Sequence, residues 1–179
     1  MTGHSDEFAA LLPAAYISAD GLYRYDLLRQ WGTDEDGQVC WVMLNPSTAD
    51  ATLDDPTIRR CVGFSMAWGF GSLIVVNLFA WRSTDPKALL SAPDPIGPEN
   101  DACIERAVRN ADLTVCAWGT KGGLLNRAAK VTQALSGHDL HALDITKDGH
   151  PKHPLYVRGD TEPTLYRSAL SDSSAPTGT

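Results

Sequence analysis

The chain has 179 residues and a formal net charge of −7, with 43% hydrophobic residues. That length fits a single domain, and the apolar content is too high for a disordered chain. The acid excess argues against tight, non-specific nucleic-acid binding, which draws on Lys and Arg contacts to phosphate, but it leaves room for a local basic cleft.

Residues 1–12 read as a weakly ordered lead-in, 13–160 as one α/β domain and 161–179 as a polar tail. Residues 14–18 and 22–27 flank Asp20-Gly21, which predicts an N-terminal β-hairpin. The apolar run Val39 to Leu44 predicts a buried strand over 38–44. A loop carrying Asp50, Asp54 and Asp55 follows. Asp55 can cap a helix, Pro56 suits its first position and Gly69 its end. Ile58, Cys61, Val62, Ser65 and Trp68 trace its inner face. Residues 72–76 form a second strand that ends at Asn77. The Pro-rich segment 80–98 reads as a loop with one short helix at 86–91. A helix over 99–110 turns Cys103, Ile104, Ala107 and Val108 inward. A strand at 113–117, a helical pattern at 122–136 and a strand at 140–145 complete the order. Strands alternating with helices predict a three-layer α/β/α fold with a central, mostly parallel four-stranded sheet.

No apolar stretch approaches the ~20 residues of a membrane span. The polar, acidic start is no signal peptide. The four cysteines, Cys40, Cys61, Cys103 and Cys116, lack metal-site spacing and are expected as buried free thiols, which suits a reducing cytoplasm. No cofactor motif is present, and nothing in the chain sets an oligomeric state.

In a parallel sheet the strand ends gather along one edge, where open α/β folds place their chemistry. The first strand delivers Asn45-Pro46-Ser47-Thr48, the second Asn77 and then Trp81-Arg82-Ser83. The third delivers Trp118 and the glycine-rich Gly119 to Gly123 with Lys121. The last loop brings His150 and His153. Asn77 closes an apolar run, and its amide matches the edge of a base such as uracil. Lys121 and the free N–H groups around it form a candidate anion cradle. An imidazole at 150 or 153 can stabilise a developing anion. Each feature also has a plain structural reading: a turn, a backbone-bonded amide, a flexible loop, a surface histidine.

Two resemblances follow from these motifs. The stretches WVMLNPSTADATLDDPTIRR (41–60), VVNLFAWR (75–82), DPIGPEND (94–101) and GHPKHPLY (149–156) closely resemble a bacterial and phage family of unknown function. More distantly, the motif order resembles the uracil-DNA glycosylase superfamily. Leu44-Asn45-Pro46-Ser47 is similar to its first turn, Asn77 and Arg82 to its base-reading strand end, and Ala117-Trp118-Gly119 to its third. His153-Pro154-Leu155-Tyr156 is similar to its His-Pro loop. Ser47 and Thr48 replace a glycine of that first turn, and Leu155 replaces a serine.

That resemblance implies a glycosylase acting on a pyrimidine base in DNA, modified or not. Asn45 would position water, Asn77 would read the base, and His153 would meet the anionic oxygen of the leaving base. Ser47, Thr48 and Ser83 would bind phosphate, with Arg82 and Lys121 offsetting its charge. Trp81 or Phe64 would stack on the base. The expected partner is DNA, a nucleobase or a nucleotide. One alternative is a binding module that recognises the same ligand without cutting it. Another is a metal-dependent nucleotide or phosphoester hydrolase with Asp50, Asp54 and Asp55 around Mg²⁺ beside Ser47. The absence of a Gly-x-Ser-x-Gly elbow argues against a nucleophilic serine enzyme.

Overall fold

A computed structural model of the chain describes residues 14–47 and 49–167. The lead-in, Thr48 and the end of the tail lie outside the described residues. The elements are β1 (Ala14–Ile17), β2 (Arg24–Gln30), β3 (Gln38–Met43), α1 (Pro56–Ala67), β4 (Ser72–Asn77), α2 (Asn100–Asn110), β5 (Leu113–Cys116), α3 (Arg127–Ala134), β6 (Leu140–Ala142) and β7 (Thr164–Arg167).

The fold is mixed α/β, built on one seven-stranded sheet in the order β1-β2-β4-β3-β5-β6-β7. The expected four-stranded sheet is its parallel centre, β4-β3-β5-β6. The expectation fell short at the edges, and three of the six strand pairings are antiparallel. The predicted hairpin forms, but β2 also pairs with β4 and so joins the main sheet. Residues 164–167, read as part of a polar tail, pair with β6.

Alternation along the strands separates two cores. Val39, Trp41 and Met43 of β3 pack with Ile58, Cys61 and Phe64 of α1. Cys40 and Val42 pack on the other face with Ile104, Ala107 and Val108 of α2 and Ala128 and Val131 of α3. All four cysteines are buried and free. Among the described residues no helix is long and apolar enough to cross a membrane.

Helix α1 starts as its punctuation predicts: the Asp55 carboxylate accepts the Ile58 N–H at 2.8 Å, and Pro56 opens the helix. Gly69 follows its end at φ 87°, a left-handed conformation that favours glycine. The helix expected from 122 begins only at Arg127. Residues Thr120–Asn126 form a 3-10 turn broken at Leu124 and Leu125, and Leu125 and Asn126 have φ angles of 51° and 56°. Two glycines weaken the helix there, and Gly122 has a separate task. A Cβ at that position would fall inside the Trp118 indole.

The backbone just past β4 is pinned from behind. Asn100, fully buried at the start of α2, donates from Nδ2 to the carbonyls of Asn77 at 2.9 Å and Leu78 at 3.1 Å. Arg127 at the start of α3 donates from Nε to the same Leu78 carbonyl at 2.7 Å and pairs with Asp101. Replacing Asn100 by alanine removes two buried hydrogen bonds, one to the Asn77 carbonyl and one to the Leu78 carbonyl that Arg127 still serves. The expected loss of unfolding free energy in urea titration is about 1–3 kcal/mol. An unchanged midpoint would mean that these bonds do not hold the strand end.

Candidate functional site

At the carboxyl edge of the parallel strands lies a crevice of about 190 Å³. Since a water molecule takes about 30 Å³ of liquid, this is room for a small ring rather than a single solvent molecule. Asn45 and Ser47 reach it from the end of β3, Asn77 from β4, Ser83 from the loop beyond, and His153 from the last loop. Asp55, Thr57 and Ile58 at the start of α1, Trp118 after β5, and Arg24 at the start of β2 close it.

The two amides face the crevice from neighbouring strands because Met43 is in register with Asn77. The ladder then runs on past both strands. Leu78 donates to Met43 O at 2.9 Å and Phe79 to Leu44 O at 3.0 Å. Asn45 Nδ2 donates to Ser83 O at 2.9 Å and to Pro46 O at 3.1 Å, while the Ser83 N–H donates to Pro46 O at 3.0 Å. With its nitrogen so engaged, Asn45 has only its carbonyl oxygen to offer a ligand or water. Asn77 is the complement. It is 1% exposed, and its Nδ2 is buried without an acceptor among the described residues.

His153 is half-buried, and its Nδ1 accepts the Leu155 N–H at 3.3 Å. That bond places the remaining ring proton on Nε2, so the neutral ring is a donor. Burial lowers its pKa from the usual 6.5, and the Asp55 charge opposes that shift. The loop is held from two sides: Arg60 of α1 donates to Pro154 O at 3.3 Å and Val157 O at 2.5 Å, and the Gly119 N–H donates to Pro151 O at 2.8 Å. Leu155 and Tyr156 stand exposed at its tip, with the Tyr156 ring 5.7 Å from the imidazole.

Other expected site residues lie elsewhere. Lys121 is exposed and does not line the crevice, and Gly122 in the same turn packs against Trp118. Trp81 bridges to Tyr23 and meets its ring edge-on at 5.6 Å. Arg82 donates from Nη1 to Gly21 O at 3.2 Å, beside the crevice rather than in its lining. Phe64 is buried against Trp41 and Trp68 and cannot stack on a ligand. His150 lines a separate groove beside α3. The three aspartates do not converge. Asp50 accepts from the Thr52 and Leu53 N–H groups, Asp54 pairs with Arg29 at 2.8 Å, and Asp55 caps α1. Among the described residues no three His, Cys, Asp or Glu side chains group as a metal site.

One lining residue, Arg24, escaped the sequence reading, and another, Asp55, entered it in other roles. Asp55 was read as a helix cap and as a metal-ligand candidate, not as a lone acid in the site, yet one of its carboxyl oxygens makes the cap bond and the residue also lines the crevice. Arg24 sits in a strand where alternation places it on the α2 face. A bulge overrides that alternation: Tyr16 pairs with Asp26 but Ile17 pairs with Arg24. Tyr25 and Asp26 thus both serve the α2 face, where Tyr25 packs on Cys103 and Asp26 pairs with Arg106 at 3.5 Å. Arg24 is turned to the crevice, a use of bulges that recurs beside functional sites. Burial lowers its pKa to about 10, still cationic at neutral pH.

The family described as "Protein of unknown function (DUF1643)" matches residues 24–155. No curated protein and no solved structure matches the chain.

The lowered pKa of His153 fixes the sign of a pH effect. As pH falls below about 7, the unfolded chain takes up this proton before the native chain does, so native stability declines. Above the ordinary histidine range the contribution is complete. Wild type is therefore expected to lose melting temperature more steeply than His153→Gln between about pH 7 and pH 5. Parallel pH profiles would contradict a depressed imidazole pKa.

Proposed function

The chain belongs to the DUF1643 family, a membership that names no activity, and from its crevice we propose that it hydrolyses the N-glycosidic bond of a pyrimidine base in DNA, in the manner of uracil-DNA glycosylases. The observation that carries this reading is the convergence of Asn45, Asn77 and His153, far apart in sequence, on one crevice at the sheet edge.

The roles follow from which polar atoms remain open. Asn77 brings its unsatisfied amide to the edge of a base drawn out of the stack. The Nε2–H of His153 meets the carbonyl oxygen on which charge grows as the base departs. The Asn45 carbonyl oxygen and Ser47 orient a water. Asp55, an acid in the lining, receives the proton as the water oxygen bonds to the sugar carbon. The bond from that carbon to the base nitrogen breaks, and the base leaves as an anion that solvent protonates. Leu155 and Tyr156, exposed beside the crevice, suit the gap an extruded nucleotide leaves.

A second reading, recognition without cleavage, draws on Asn45. An amide stands where a strong base would serve hydrolysis, and its nitrogen is fixed by two carbonyls.

One assay separates the two. Single-stranded DNA carrying uracil or a 5-substituted uracil is incubated with the protein, and free base is measured by chromatography. Release is expected to fall about 10²-fold or more in His153→Ala and Asn77→Ala, and further in Asp55→Asn than in Ser83→Ala. Variants that match wild type would end the assignment. Retention of the DNA with no base released would favour the binding reading.

A further inference from the structure

Three arginines are buried among the described residues: Arg24 at 2% exposure, Arg29 at 6% and Arg127 at 4%. Two of them have carboxylates. Arg29 pairs with Asp54, and Arg127 with Asp101. Arg24 does not. Among the described residues its guanidinium donates from Nη1 to Ala49 O at 2.5 Å, its Nε finds no acceptor, and no carboxylate forms an ion pair with it. Asp55 acts on it electrostatically without reaching ion-pair contact. A buried cation left without a partner is strongly disfavoured, and this one is the buried arginine that lines the crevice.

The neighbouring atoms point the same way. Asn77 and Trp118 belong to the same lining, and among the described residues Asn77 Nδ2 and Trp118 Nε1 are also buried donors without acceptors, the indole N–H lying on the side of Gly122. His153 adds a fourth N–H through its tautomer. The crevice is thus rich in unmatched donors inside a molecule of net charge −7. A ligand that brings only a neutral amide edge satisfies Asn77 and leaves the guanidinium alone.

We propose that Arg24 is an anion-recognition residue, and that the ligand of this crevice carries an anionic oxygen seated against its guanidinium. On the pyrimidine reading above, on which the ligand class rests, that oxygen belongs either to a carboxylate on the ring or to the phosphate of the nucleotide. The bulge in β2 aims the side chain there, and the Ala49 carbonyl fixes one end of its planar fork.

Calorimetric titration of the full chain with uracil, 5-carboxyuracil, deoxyuridine, deoxyuridine 5′-monophosphate and inorganic phosphate tests this. At least one anionic probe is expected to bind about tenfold or more tighter than its neutral counterpart, and the pair that shows it identifies carboxylate or phosphate as the source. Arg24→Met is expected to abolish the preference. Arg24→Lys, which keeps the charge and loses the fork, is expected to weaken it severalfold. The unliganded Arg24→Met protein is also expected to melt no lower than wild type, because it removes an uncompensated buried charge. An arginine that served only the Ala49 contact would lower the melting point and leave selectivity unchanged. Anionic probes bound no more tightly than neutral ones, or a preference that survives in Arg24→Met, would overturn the proposal. Tight binding that is equal for uracil and 5-carboxyuracil and equal for deoxyuridine and its 5′-monophosphate would do so while leaving the pyrimidine reading intact. Arg24-dependent binding of phosphate without any response to uracil or deoxyuridine would support the anion site and remove the pyrimidine.

Discussion

The parallel pairing of β3 with β4 does not stop where the strands do, and the site depends on that continuation. Leu78 and Phe79 donate to Met43 and Leu44, and the Asn45 side chain then bonds across to Ser83. Polypeptide beyond a strand end is ordinarily a loop whose backbone groups look to water. Here two such segments satisfy one another, while Asn100 and Arg127 secure the far side of the same stretch. The spacing between the amides of Asn45 and Asn77 is therefore a property of the sheet rather than of a flexible turn. Sites carried on regular structure hold their geometry more closely than sites carried on loops.

Charge is arranged against the grain of the molecule. The surface is acidic overall, yet the crevice receives a buried arginine, a neutral imidazole with its proton on Nε2, and one carboxylate. An acidic exterior weakens long-range attraction to nucleic acid. Buried donors such as Arg24 and Asn77 act at short range, where each interaction is stronger than in water. Recognition in such a molecule rests on the fit of a small group more than on the field around it.

Much of this was legible in the chain. The four apolar runs gave the parallel core, because strands buried on both faces read as continuous hydrophobic segments. Asn77 stood out as an amide at the end of such a run, and the strand-end rule grouped it with Asn45 and His153. What was missed has physical causes. β7 is a four-residue edge strand of mixed composition, and sequence periodicity cannot mark a segment that short. Arg24 was hidden because one bulge reverses the in–out alternation on which strand reading depends. Asp55 was read as a cap and grouped with Asp50 and Asp54 as a metal ligand, and its place in the crevice as a single acid is set by the fold; the cap accounts for one of its two oxygens. Lys121, read with its glycines as an anion cradle, lies outside the crevice lining, and one of those glycines, Gly122, leaves space for an indole.

The engagement of the Asn45 nitrogen has an evolutionary corollary. A carboxylate there would be the obvious route to a more basic group, and aspartate differs from asparagine by only one atom in the head group. In this scaffold, however, the substituted oxygen would face the carbonyls of Pro46 and Ser83, replacing two attractions with two repulsions. The position is locked to an amide by its neighbours, whatever the chemistry would prefer. Lineages with this turn would have to gain basicity from another element, and the start of α1 already offers a carboxylate.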